Sequence, residues 1–447
     1  MFSCRKQNYL LPLICLLTIF STLSIFVVGT ERLSYSQVLE DNGNANITFD
    51  IKNISDNIRD SVYPQTDSSE NRVFVLWQDN LFGQNRMNYD ILLKTSNDGG
   101  QTFGDVVNLS NNTGFSEHPQ MAVNGNNVYI VWADNTSLNR DIYFISSNDG
   151  GQTFGDVVNL SNNTADSYNQ EISVSGNNVY IVWQDAQKFT QGNSSIYFIS
   201  SNDGGQTFGD VVNLSNNAGK TSFPKISSSQ ENVYVAWNID SDDRSVVGTN
   251  NMEGGIFFVK SPDNGSSFDK EIRLNTDEKP GELQIDASDN NVYVIWGSPD
   301  PSTTHHNSDQ ATTTPTSENV NSNNLTGDGI YFTKSIDDGN SFAKPSFIQG
   351  QFLNPLNVDI IHHSNKLIVA IQATPLNNTV EGNQDIFLMG SQDMGDSFLS
   401  ESVNISNNAG ISECPSMTVL SAENKLFVIW QDRSPGNNEA LSTKINL

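Results

Sequence analysis

The chain is poor in cysteine, in positive charge and in long apolar runs, and each shortage removes a class of explanation. Of its three cysteines, Cys4 and Cys15 lie in an N-terminal leader, so Cys414 stands alone in the rest of the chain and no intrachain disulfide can staple it. Stability has to come from packing. Cys414 has no histidine near it in sequence and reads as a small buried apolar residue rather than a nucleophile. Lys and Arg total 23 against 51 Asp and Glu, a net charge of −28. Such a field repels phosphate backbones and anionic lipid, which excludes nucleic acid as a partner. The one long uncharged, largely apolar stretch runs from Tyr9 to Val28 behind Arg5 and Lys6, the order of an export signal. Ser34 and Ser36 before Gln37 offer a small-x-small cleavage site, and Ile14 before Cys15 argues against a lipoprotein. Residues 1–36 are therefore expected to be a signal peptide or an uncleaved signal anchor, with 37–45 a linker. Either form puts the bulk of the chain outside, secreted or held at the outer face of the membrane by this segment alone.

What is abundant is repetition. A seventeen-residue phrase, SNDGGQTFGDVVNLSNN, occurs unchanged three times, at Ser96 to Asn112, Ser147 to Asn163 and Ser201 to Asn217. Degenerate copies follow from Ser261, Ser335 and Ser391, so S-x-D-x-G-x-[ST]-F appears six times at a spacing of about 50 to 75 residues. Short Val/Ile/Tyr/Phe runs alternate with Asn-Gly and Asp-Gly punctuation, an all-β signature. Each unit lays out as four strands, the repeat of one propeller blade. The second strand ends on Trp77, Trp132, Trp183, Trp237, Trp296 and Trp430, with Ile371 in the sixth unit, and a large residue recurring there marks inter-blade packing.

Seven second strands stand beside only six repeat phrases, and the last unit stops after a third strand. Near the other end, Thr48 to Ser55 (TFDIKNIS) resembles the fourth-strand segment TFGDVVNLS with one residue deleted. The expectation is a seven-bladed β-propeller of four-stranded antiparallel blades over 46–447, the last blade closed by an N-terminal strand around Ile51 that pairs near Leu441. Closure removes exposed sheet edges. Residues 298–328 are Thr/Ser/Asn/Pro-rich and too apolar-poor to fold alone, so they are expected to be a disordered insertion. His305 and His306 within it, and His362-His363 in an expected hairpin turn, are weak metal signals. Thirteen N-x-[ST] sequons, among them Asn46, Asn108, Asn135, Asn193, Asn324 and Asn404, suit a glycosylated surface protein.

The phrase S-x-D-x-G-x-T-F between a third and a fourth strand resembles the Asp box of bacterial neuraminidase repeats, found in sialidases and in many non-enzymatic propellers. Asp98, Asp149, Asp203, Asp263, Asp337 and Asp393 are the box aspartates. Their side chains suit backbone N–H groups of their own turn, Gly100, Gly151 and Gly205 suit a positive φ, and Phe103, Phe154 and Phe208 would anchor the hairpin between sheets. The role is structural. The resemblance implies that the boxes lie on the face opposite the catalytic pocket. Identity extending to Gln101, Gln152 and Gln206 points to duplication within the chain, so the phrase nominates no binding site.

Functional residues should instead come from loops after each Trp and before each first strand. These hold Asp79, Asp134, Asp185, Asp432, Arg59, Tyr63, Arg86, Glu117, His118, Arg140, Asp166, Tyr168, Arg244, Glu282, Glu413 and Arg433. The sialidases resembled here grip a substrate carboxylate with three arginines, a bidentate task. Arg59, Arg86, Arg140, Arg244 and Arg433 are the candidates, with Asp134 and Asp185 as candidate acids. The family's Arg-Ile-Pro, however, is matched here by Val62-Tyr63-Pro64, and no Tyr follows Trp430 to serve as the nucleophile. Asp240, Asp242 and Asp243 group carboxylates of the kind calcium takes, but without the glycine and terminal Glu of a calcium loop they read as a solvated acidic rim, and no cofactor is expected. Two functions stay open: a non-catalytic binding or scaffold module for a glycan or protein ligand, and a sialidase-type exo-glycosidase acting on terminal acidic sugars.

Overall fold

The computed structural model describes residues 49–80, 88–186, 193–216, 219–239, 254–275, 280–298, 329–376 and 382–447. The leader, the linker, residues 299–328 of the expected insertion, Arg86, Arg244, Asp240, Asp242, Asp243, His305 and His306 lie outside the described residues. Seven antiparallel sheets make seven blades, spanning 61–108, 116–159, 166–213, 221–273, 283–348, 352–404 and, for the last, 412–446 with Lys52–Asn53. No helix occurs among the described residues. In blade 6 the first strand is split into Phe352–Leu353 and Val358–His363, both paired with Lys366–Pro375. His362 and His363 therefore end a strand instead of forming a turn. His362 Nδ1 meets Asp286 Oδ2 of blade 5 at 2.7 Å.

Each second strand is a near-continuous apolar run because both its faces are covered. Seven hydrophobic clusters follow from this, each containing residues of two adjacent blades. In Arg72–Asn80, for example, Val73, Val75 and Trp77 face blade 7 while Phe74 and Leu76 face blade 2. All six tryptophans are buried in such interfaces.

The Asp boxes extend these interfaces. Asp98 accepts the backbone N–H groups of Gln101 (3.0 Å) and Thr102 (2.8 Å), and hydroxyls of Thr102 (2.6 Å) and Ser96 (2.7 Å). Asp149, Asp203, Asp263, Asp337 and Asp393 accept the same hydroxyl pair. The Thr or Ser hydroxyl, foremost, holds every one of these carboxyls below its ordinary range. The box phenylalanine packs on the preceding blade: Phe208 on Phe144 (5.0 Å), Phe268 on Phe198 (4.9 Å), Phe342 on Phe258 (4.8 Å) and Phe398 on Phe332 (4.9 Å). The same preceding-blade ring closes on the box glycine. At Gly205, where φ is +79°, an added Cβ would lie 2.6 Å from Phe144 Cζ, so a side chain is excluded by backbone and space together.

Blade 7 has no box, and the N-terminal segment takes its place. Lys52 and Asn53 pair with Ser442 and Leu441, the Ile54 N–H donates to the Ala440 carbonyl at 2.8 Å, and Phe49 packs on the blade 6–blade 7 core. Asn53 Oδ1 receives the Asp56 N–H at 2.9 Å, as Asn108 Oδ1 receives that of Asn111. The ring closes where the missing seventh phrase indicated. Ile54 is 4% exposed in the core between blades 7 and 1. Ile54→Ala should therefore cost about 2–5 kcal/mol in chemical denaturation, as an ordinary core truncation does. A loss below about 1 kcal/mol would show that the closing strand adds little.

Candidate functional site

The two ends of the propeller differ in chemistry. At one end the boxes lean on the first hairpin of their own blade, as where the Gly99 and Gly150 N–H groups donate to Asn71 and Asn126 carbonyls. At the other end each first strand begins beside the end of its second strand, Ser61 facing Asp79 and Ser116 facing Asp134. This end collects the residues nominated from sequence.

The aspartate two positions after Trp is a latch. Asp134 is buried and accepts Ser116 Oγ (2.6 Å), Asn112 Nδ2 (2.7 Å), the Thr136 N–H (2.8 Å) and, more weakly, Trp132 Nε1 (3.4 Å). Asp185 accepts Ser167 Oγ (2.6 Å), Trp183 Nε1 (2.8 Å) and Asn163 Nδ2 (2.8 Å), while burial, the largest influence, raises its carboxyl above the ordinary range. Asp79 and Asp432 repeat the pattern on Trp77 and Trp430. Asp134 and Asp185 thus fix the first strand to its tryptophan. Blades 4 and 5 carry Ile239 and Ser298 at the latch position. There the indole N–H groups of Trp237 and Trp296 are buried without a partner among the described residues.

The latch sets up a bulge. In five blades the first strand slips register just after its start, and the residue at the bulge has a left-handed backbone: Tyr63 (φ 52°), His118 (52°), Asn169 (53°), Phe223 (51°) and Cys414 (52°). Three of their N–H groups are clamped by a glutamine from the preceding blade: Tyr63 by Gln431 (3.3 Å), His118 by Gln78 (2.8 Å) and Cys414 by Gln372 (3.1 Å). These glutamines are missing from the sequence nominations, although Trp-Gln-Asp recurs at Trp77, Trp183 and Trp430. Cys414 departs from the expected buried apolar residue. It is partly buried, with Sγ accepting Asn357 Nδ2 at 3.6 Å, and burial first, then Glu282 and Glu413, pushes its thiol up to about 12.

The bulge residues converge. The Tyr63 and His118 rings lie 4.3 Å apart, tilted by 52°. Tyr63 senses Cys414, Glu413 and Glu117, His118 senses Glu117, Arg140 and Glu282, and Cys414 senses Glu282, Glu413 and Lys225. Residues of blades 1, 2, 4, 5 and 7 therefore share one electrostatic neighbourhood around the central axis. Tyr63 and Phe223 are 38% and 45% exposed.

Of the candidate arginines among the described residues, two are paired with carboxylates. Arg140 pairs with Glu117 at 3.0 Å, and Arg433 with Glu413 at 3.3 Å and with Asn438 at 2.8 Å. Arg59 is exposed in the connection leading into blade 1, and its guanidinium takes no partner among the described residues. Deeper, Lys225 bridges Glu171 (2.6 Å) and Glu282 (3.6 Å). Burial alone would lower its pKa, but the two carboxylates outweigh it and the net shift is upward. No group of three His, Cys, Asp or Glu able to hold a metal occurs among the described residues.

No protein-family model matches the chain, and no curated protein matches it. Solved structures do. A polysaccharide lyase of family PL25, an ulvan lyase, aligns with a TM-score of 0.56 and 10% identity over 88% of this chain and 96% of its own. The GH93 α-L-arabinofuranosidase of Fusarium graminearum, in complex with arabinobiose, aligns at 0.51 and 11% over 89% and 98%. A Trypanosoma rangeli sialidase in complex with sialic acid aligns at 0.45 and 10% over 86% of this chain and 54% of its own. The chain shares the β-propeller fold of the lyase and the arabinofuranosidase.

The first strands also carry half-buried acids. Asp67 accepts the Val123 N–H (2.7 Å) and Asp359 the Met417 N–H (2.8 Å), each joining two blades. Burial pushes Asp67 up to about 6 and Asp359 up to about 7, against the pull of those N–H groups and, at Asp359, of Lys225. An unfolded aspartate ionises near 3.8. At these two positions the folded chain therefore holds protons that the unfolded chain has released, so the stability they contribute is full below pH about 4 and is lost as pH rises through 6 to 7. Asp359→Asn keeps the acceptor and removes the charge. Its melting temperature relative to wild type should be higher at pH 8 than at pH 4.5, by roughly 2–4 °C in calorimetry. An equal difference at both pH values would contradict the assignment.

Proposed function

We propose that the protein is a non-catalytic glycan-binding propeller, exported and either secreted or held at the outer face of the membrane, whose ligand sits over the ring of bulge residues on the face away from the Asp boxes. The observation that carries this reading is the contrast between backbone and side chain in that ring. A left-handed conformation costs a non-glycine residue about 1–2 kcal/mol, and glycine would relieve it. Five blades nevertheless keep Tyr63, His118, Asn169, Phe223 and Cys414 there. Blades 1 to 3 repeat their seventeen-residue phrase without a change, yet their ring residues are Tyr, His and Asn. A fixed scaffold displaying unlike side chains around one axis is the arrangement of a recognition surface.

The ring chemistry supports a sugar as ligand. Tyr63 stands near the carboxylates of Glu413 and Glu117, and Phe223 adds a second exposed aromatic face to the ring, the mix of apolar surface and few polar groups found in small-ligand sites. The arabinofuranosidase with the same fold was solved with arabinobiose. The sialidase alternative has less behind it. Arg140 and Arg433 are neutralised by glutamates, Val62 stands where an arginine is needed, and the Tyr63 phenol is raised by burial first and then by Cys414, Glu413 and Glu117, which keeps it protonated.

A glycan array probed with the full chain, its Tyr63→Ala and Phe223→Ala variants, and a fluorogenic sialoside assay test the reading together. Bound glycans should lose at least about tenfold in affinity in either variant, the change expected for about 1.4 kcal/mol, and the sialoside should not turn over. An empty array defeats the proposal. Sialoside turnover abolished by Arg140→Ala would establish the enzyme instead.

A further inference from the structure

Resting on the glycan reading, we infer that the sugar bound at the bulge ring carries a free amino group. The charges that face the ring come from six elements. Among the described residues, blade 2 brings Glu117 with Arg140, blade 7 brings Glu413 with Arg433, blade 3 brings Glu171, blade 4 brings Lys225, blade 5 brings Glu282 and blade 6 brings Asp359, which burial pushes up to about 7. Tyr168 and His118 also sense Arg140, and Tyr168 senses Asp166. The two arginines each have a glutamate of their own. The lysine has two, and it sits 2.6 Å from Glu171 against 3.6 Å from Glu282. One cation shared by two carboxylates leaves a negative charge over, and it falls on Glu282, whose side chain is 35% exposed while that of Glu171 is 18%.

The field of Glu282 crosses the axis. It reaches His118 in blade 2 and Cys414 in blade 7. Among the described residues the cation nearest the aromatic side, Arg140, is paired with Glu117, and burial, the largest influence, lowers the pKa of His118 and leaves its ring uncharged at neutral pH. The bulge ring therefore carries π faces, Tyr63 at 38% and Phe223 at 45% exposure, at the same end of the propeller as a carboxylate that only shares its cation. Ammonium groups are held by that combination, through attraction to the ring quadrupole and a charge-assisted hydrogen bond. An acidic sugar meets the opposite field, strengthened by a net charge of −28 on the whole chain.

The test compares two hexasaccharides that differ only in charge, a β-1,4-linked glucosamine hexamer and its fully N-acetylated counterpart, by titration calorimetry on the full chain at pH 6. The amine form is expected to bind at least about tenfold tighter. Glu282→Gln should abolish that preference, and Tyr63→Ala should weaken both hexamers. Asp105→Asn, an equal charge change at an exposed position beside the outer strand of blade 1, should leave the preference intact. Near-ultraviolet circular dichroism establishes that each variant is folded. Equal affinities, an equal loss in Asp105→Asn, or tighter binding of sialyllactose than of the glucosamine hexamer each overturn the inference while leaving the glycan reading in place. Failure of both hexamers overturns it as well, and failure on the entire glycan array removes the glycan reading too.

Discussion

The structure depends on blades packing on blades. A second strand with both faces apolar cannot be stable in an isolated sheet, because one face would always meet water. Val73, Val75 and Trp77 need blade 7 just as Phe74 and Leu76 need blade 2. Every blade therefore requires two neighbours, and a chain of such blades is satisfied only when it closes. The two-residue pairing of Lys52 and Asn53 with Ser442 and Leu441 is small in hydrogen bonds. It matters because Ile54 and Phe49 come with it and complete the interfaces on either side of blade 7.

The same requirement explains the box. Its aspartate organises a turn, and that turn places a glycine and a phenylalanine against the aromatic ring of the preceding blade. The Trp-x-Asp latch does the corresponding work at the other end, tying each first strand to its own second strand. Between them these devices hold both ends of a blade rigid. A rigid frame lets the bulge residues keep a strained backbone, and it frees the side chain at that position to vary from Tyr63 to His118 to Asn169 without loss of fold.

Much of this was legible in the residues. The blade count, the order of strands, the closing segment and the division of the two faces all follow from spacing and from the absent seventh phrase. The candidate site was legible only in outline. Glu117, His118, Glu413 and Tyr63 stand among the residues nominated by their place before a first strand. Asp134 and Asp185 stand there too, because a loop position shows neither burial nor saturation with hydrogen bonds. The clamps at Gln78, Gln372 and Gln431 are not legible in the sequence, since each acts on the next blade and nothing adjacent in sequence shows its target.

The sequence by itself determined what is periodic and local: strand alternation, turn chemistry at the six boxes, and the repeat that makes blades. Hydrogen bonds between residues two to four apart, such as those of Asp98 with Ser96 and Thr102, need no knowledge of the rest of the chain. Only the tertiary structure decided which groups meet at the axis. Tyr63 is clamped by a glutamine 368 positions away, and Lys225 is shared between Glu171 in one blade and Glu282 in another. Ring closure brings these groups together, because their partners lie in different blades.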